Sequence, residues 1–136
     1  MRPLDKSTAI VCATQAVLAA FFGFVGYMKA FASMSDLAQF HAWVAALPVP
    51  LARTVGWSEM LCALGLVLPG LLNRGRWIMA VAAELLVLNQ VIAIIVHGYR
   101  GELAGAFLQN VLLILLLAFV SLEWRKRDSP IPRTES

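Results

Sequence analysis

Two carboxylates, Glu59 and Glu84, stand inside stretches of sequence that are otherwise apolar, and Lys29 and Arg53 lie close to the same stretches. An acid in that setting must be protonated, paired with a cation or turned toward water, because an ionised group in hydrocarbon costs ~3 kcal/mol or more. The chemistry open to it is proton exchange or the holding of a polar ligand. Lys29 and Arg53 are rival partners for Glu59, since a long cationic side chain can reach inward along a helix. Asn89, Gln90, Asn110 and Gln15 add amides to these runs. The plainer reading of the amides is hydrogen bonding between helices, worth ~0.6 kcal/mol apiece. For the two acids it is a structural carboxylate, protonated or paired.

The elements that must position these groups follow from composition. The chain has 136 residues, 60% of them hydrophobic and only 14% charged, and a mean hydropathy of +0.77. Soluble domains carry roughly 25% charged residues, so residues 1–136 read as a single transmembrane domain. About 20 apolar residues cross a bilayer as a helix, and four such runs lie at 8–27, 51–72, 77–97 and 103–124. Lipid satisfies no backbone N–H or C=O, so spans of this length are helical, and the alternation of a β-barrel is absent. The expected fold is all-α, an integral membrane four-helix bundle with up-down topology.

Short polar turns at Asn73-Arg74-Gly75-Arg76, after Pro69-Gly70, and at Gly98 to Glu102 make neighbouring helices antiparallel. The first connection is longer. Ser35 or Asp36 as N-cap, apolar Leu37, Phe40, Val44 and Leu47 at helical spacing, and a stop at Pro48-Val49-Pro50 predict a short amphipathic helix lying on the membrane surface.

With a rise of 1.5 Å per residue, Glu59 falls roughly 4 Å outside the midplane and Glu84 roughly 4 Å inside it. Asn89, Gln90 and Asn110 share the level of Glu59, and Gln15 that of Glu84. At 100° per residue Glu84, Asn89 and Gln90 point in three directions, so they cannot all line one cavity. Small residues mark the packed faces: Ala16, Ala19, Gly23 and Gly26 in the first span, and Gly56, Ala63 and Gly70 in the second, on the face that carries Glu59.

Arg2, Lys6, Arg74, Arg76, Arg125, Lys126, Arg127 and Arg133 fall at one end of the spans, and Lys29, Arg53 and Arg100 at the other. That bias predicts an inner (plasma) membrane protein with both termini cytoplasmic and a basic cytoplasmic tail over 125–136. The basic balance, pI ≈ 9.2, then reads as topology and attraction to anionic lipid, not to nucleic acid, with ~1 kcal/mol available to each juxtamembrane cation. Arg2 and Lys6 ahead of an apolar run that ends at Ala30-Phe31-Ala32 imitate a signal peptide, but the run is longer than the usual 7 to 15 residues, and Lys29 intrudes. Cys12 and Cys62 lack metal or redox spacing and read as small packing residues. No metal site is expected.

Gly26-Tyr27-Met28-Lys29, then Gly56-Trp57-Ser58-Glu59, then Ala63-Leu64-Gly65-Leu66-Val67-Leu68-Pro69-Gly70 resemble the DoxX-like membrane proteins in order and location. The resemblance spans most of the chain: four helices, a longer first loop, G-x-x-K, and G-x-x-E leading into a Leu/Gly-rich stretch. It implies kinship with the small membrane subunit of a thiosulfate:quinone oxidoreductase, and with relatives linked to membrane redox complexes and oxidative-stress defence. Lys29 and Glu59 are the positions that carry over. A quinone would suit such a site, its ring in an apolar slot and its oxygens between a donor, Lys29, and a proton-exchanging acid, Glu59.

The chain has no flavin or nicotinamide glycine fingerprint and no paired cysteines, so it is expected not to be an enzyme by itself, and a redox cofactor would belong to a partner. His41 and His97 both fall on the outer side, but a haem clasp needs two opposed imidazoles at one site. Two other function classes stand beside the redox reading. One is small-molecule binding or proton-coupled transport, although small multidrug exporters carry their acid in the first helix, where this chain has Gln15. The other is a membrane scaffold or assembly factor without a site. The expected partners are membrane lipid, a quinone or other apolar small molecule, and a redox partner protein or a second copy of the chain.

Overall fold

The structure, a computed structural model, describes residues 5–128. Arg2, Arg133 and the last eight positions of the expected tail lie outside the described residues. Six helices follow in order: α1 (Lys6–Phe31), α2 (Met34–Phe40), α3 (Ala42–Ala45), α4 (Val49–Leu71), α5 (Trp77–Tyr99) and α6 (Leu103–Asp128). The four long ones are long and apolar enough to cross a membrane. They pack antiparallel, α1 on α4, α4 on α5, α5 on α6, and α6 back on α1.

The spans differ from expectation at their ends. α1 runs on through Lys29 to Phe31, because the lysine is buried on an inner face instead of marking the membrane surface. α4 starts at Val49 with Pro48 as N-cap, so Pro48-Val49-Pro50 opens a helix where it was expected only to close one. Proline tolerates that place because the first N–H groups of a helix have no intrahelical acceptor. α6 continues to Asp128, which makes Arg125, Lys126 and Arg127 helical.

The turns use backbone conformations that favour glycine. Asn73 and Gly75 have φ of 51° and 64° between α4 and α5, and Gly101 has φ of 71° between α5 and α6.

The single surface helix expected in the first connection is two short helices. Ser33 is the N-cap, accepting from the Asp36 N–H at 3.1 Å; Ser35 and Asp36 sit inside α2. At His41 the backbone turns to φ −137°, ψ 57°. That break sends Leu37, Trp43 and Val44 inward, while Phe40, expected on the apolar face, stays exposed. Trp43 and Val44 pack with Ala52 of α4 and Ala93 of α5, so the pair of helices forms a lid seated on the bundle end.

Between lid and opposite end the interior is packed with apolar side chains. Leu18, Phe22, Leu66, Met79, Leu86 and Leu117 form its centre, and each is at most 2% exposed. Helices already in lipid gain little from hiding apolar surface, so close packing must hold them together. α5 meets that need with Ala80, Ala82 and Ala83. α1 and α4 meet it with two glycines: a Cβ on Gly26 would stand 2.7 Å from Gly56 O, and one on Gly56 2.5 Å from Ala30 N. Gly23 opposes Ala63 at ordinary contact distance.

Candidate functional site

The Gly26/Gly56 crossing decides what happens to Glu59. With no side chain between the two backbones, Glu59 lies level with Gly26, five positions or about 8 Å short of Phe31 at the end of α1. Lys29 is one turn from that point, so its side chain folds back along α1. Lys29 Nζ donates to Glu59 Oε1 at 2.7 Å, and the side chains are 4% and 0% exposed. Burial this complete makes the pair a matched set: removing one partner would leave a bare charge inside the bundle.

Asn89 of α5 donates to the same Glu59 oxygen, and the Trp43 ring centroid lies 5.0 Å from Lys29 Nζ, in cation–π range. Arg53 does not compete for the acid. Its guanidinium donates to the Lys29 carbonyl at 2.9 Å, capping the end of α1 while its neighbour takes the carboxylate. Glu59 Oε2 is buried and has no hydrogen-bond partner among the described residues.

Beside this pair is a cavity of about 230 Å³, under the lid and between α1, α4, α5 and α6. Lys29 and Glu59 line it together with Gln90, Gln109 and Asn110, and with Phe21, Phe22, Val25 and Leu113. Asn110 donates its own amide to Ala106 O at 2.8 Å. His41, Trp43 and His97 complete the lid side, with Trp43 and His97 ring centroids 6.2 Å apart. Burial, and then the charge of nearby Lys29, push the His41 imidazole below its ordinary value. His97 Nδ1 lies 3.6 Å from Glu102 Oε2, and two hydrogen bonds from Arg100 hold the Glu102 carboxyl below the usual range.

The candidate residues divide between two places. Lys29, Glu59, Asn89 and Asn110 gather at or beside the cavity, with Arg53 behind Lys29. Glu84 is elsewhere: it accepts from Arg125 at 2.5 and 2.6 Å and from Ser121 at 2.8 Å, on the α5–α6 face. Gln15, at the same end, accepts from Trp124 Nε1 at 2.6 Å and donates to Met79 Sδ at 3.8 Å. The wheel argument holds: of Glu84, Asn89 and Gln90, only Gln90 lines the cavity. Asn89 points away from the cavity lining and reaches the Glu59 carboxylate instead.

Gln109, Trp43 and the two histidines had no assigned place at the site in the sequence. Gln109 adjoins Asn110 and repeats the Gly105 and Leu113 positions at helical spacing, which could have signalled it. His41 and Trp43 depend on the break between α2 and α3, which no propensity announces. Among the described residues no group of three or more His, Cys, Asp or Glu could hold a metal ion.

The arrangement can do two things: hold a small molecule against a cationic donor and two or three amides, and exchange a proton at Glu59 Oε2. The profile of a known protein family, described as the DoxX-like family, matches residues 13–120, and so takes in every residue of the cavity. No curated protein and no solved structure gives a significant match.

Proposed function

The chain belongs to the DoxX-like family, and from that premise we propose that its cavity holds the ring of a quinone for a membrane redox or oxidative-stress system. The observation that carries the reading is the Glu59 carboxylate. One oxygen is fixed by Lys29 and Asn89, while the other is buried and has no hydrogen-bond partner among the described residues. A half-satisfied carboxylate is costly in a protein interior, and a ligand O–H or protonated oxygen would satisfy it.

The residues fit such a ring. Lys29 has three N–H donors and Glu59 takes one, leaving others for a carbonyl oxygen. Phe22 and Trp43 supply flat apolar walls. A volume of about 230 Å³ is below the ~300 Å³ floor for drug-sized ligands, so one ring fits and its tail would remain in the bilayer. The quinone would supply electron and proton acceptance. Lys29 would orient one oxygen, Asn89 would hold the carboxylate in place, and Glu59 would carry a proton at Oε2. The electrons would come from a partner protein, because this chain carries no fingerprint for a redox cofactor.

The side of the membrane follows from charge. Lys6, Arg74, Arg76, Arg125, Lys126 and Arg127 gather at one end, which supports a cytoplasmic placement of both termini in an inner membrane. The cavity then opens toward the outer side.

Mass spectrometry of the lipid extract of purified protein tests the proposal. Wild type and Glu84→Gln should carry quinone, and Glu59→Gln should lose it by ~10-fold or more, the worth of a hydrogen bond to a charged group. Extracts without quinone in all three, or equal retention in Glu59→Gln, would refute it. Proton-coupled solute uptake into liposomes that depends on Glu59 would move the assignment to transport.

A further inference from the structure

The opposite end of the bundle holds a second cavity, about 510 Å³, enclosed by the first turns of α1 and the last turns of α4 and α6. Arg76 and Arg127 line it, and among the described residues no carboxylate does. Arg127 donates to the Thr8 hydroxyl and, at 3.2 Å, to Ser7 Oγ, and forms an ion pair with Glu123 Oε2 at 3.7 Å. Its buried Nε has no acceptor among the described residues. Arg76 donates to Asn73 Oδ1 at 2.8 Å through one nitrogen, which leaves the rest of its fork for another acceptor.

The inner wall of this cavity is mostly apolar, with Cys12, Ala16 and Val67 beside the Gln15 amide. Val67 also lines an apolar groove of about 460 Å³ along the α1–α4 seam, over Ala19, Gly23 and Ala63 and out to Tyr27. From Ala16 to Tyr27 is about 16 Å of helix. The small residues that let the two helices approach also leave a channel beside them.

A basic pocket that continues into a long apolar groove matches one kind of molecule. We propose that this is a binding site for an anionic glycerophospholipid, its phosphodiester held between Arg76 and Arg127 and one acyl chain laid along the α1–α4 seam. Paired guanidinium forks suit phosphate oxygens. A zwitterionic lipid would bring its own cation to a rim that already has two. The site is independent of the quinone reading, since it shares no residue with that cavity.

Native mass spectrometry of the full chain in mild non-ionic detergent, titrated with phosphatidylglycerol, phosphatidylcholine or inorganic phosphate, tests it. One phosphatidylglycerol should be retained, with each arginine contributing about five-fold, so that the Arg76→Gln/Arg127→Gln protein binds about 25-fold more weakly. Gly23→Leu, which fills the groove and leaves every charge in place, should also weaken retention, and Arg74→Gln, exposed and outside the cavity, should not. Equal loss in Arg74→Gln, equal binding of phosphatidylcholine, or displacement by equimolar inorganic phosphate would each overturn the proposal. Should the double variant fail to fold, Arg76→Gln alone, a change at an exposed side chain, carries the five-fold expectation.

Discussion

Adding one methyl group at Gly56 should harm this protein more than most changes of its size. The new Cβ would stand 2.5 Å from Ala30 N, 2.7 Å from Gly26 O and 2.8 Å from the Lys29 carbonyl carbon, all backbone atoms that no rotamer change can move. Restoring ordinary contact at 3.4 Å requires α1 and α4 to part by ~0.9 Å, and a gap of that width forfeits a quarter to a half of each dispersion contact along the seam. Overpacking of this kind costs ~1–3 kcal/mol, and the better helix propensity of alanine returns at most ~1. Three backbone atoms under 3 Å place the cost in the upper half of the overpacking range, so the expected net loss is ~1–2 kcal/mol. Gly105→Ala is the matched control. Its Cβ would meet nothing within 4 Å, so the same chemistry should stabilise by ~0.5–1 kcal/mol. Thermal unfolding of both variants in one detergent measures the difference, and the two midpoints should move in opposite directions. A Gly56→Ala midpoint at or above wild type would refute the reasoning that backbone contact fixes the site.

Three further outcomes follow from the geometry. Lys29→Met and Glu59→Leu should each destabilise by ~3–5 kcal/mol, and the double variant by far less than their sum; additivity within ~0.5 kcal/mol in the double-mutant cycle would mean that the pair is not coupled. Because the folded state holds the His41 imidazole below its ordinary 6.5, the unfolded chain binds more protons below that pH, so stability is retained above about pH 6.5 and declines as pH falls, by at most ~1.4 kcal/mol per unit. Melting curves between pH 7.5 and 5.5 should show this decline shrinking in His41→Asn. Trp43→Leu should reduce quinone retention in lipid extracts well below that of Trp57→Leu, since the Trp57 indole is 49% exposed on the outer surface of α4.

The four spans were legible because hydropathy alone sets them, and the level of the amides was legible because helical rise is constant. The small-residue faces showed that the first two helices meet, and the order of the motifs showed the family. Lys29 misled at the end of the first span, because a charge reads as a membrane boundary until its partner is known. The partner itself was among those the sequence offered: Lys29 and Arg53 were rivals for Glu59, 30 residues from Lys29, and the packed structure gives the acid to Lys29. The lid was misread for a different reason. Its apolar spacing fits one continuous helix, and only the torsion at His41 splits it, turning Trp43 inward and Phe40 out. The basic cavity was out of reach altogether, since Arg127 and Thr8 meet across 119 positions of chain.

The packed apolar centre of the bundle limits how anything reaches Glu59. Phe22 lines the cavity and belongs to the same packed centre as Leu66, Leu86 and Leu117, so the cavity is a cup with a solid floor. The exposed residues of its lining are Phe40 of α2 and Gly105 and Gln109 of α6, so access to Glu59 would be governed at that rim. A conduit through the protein would have to take apart the layer of side chains that holds its four helices together.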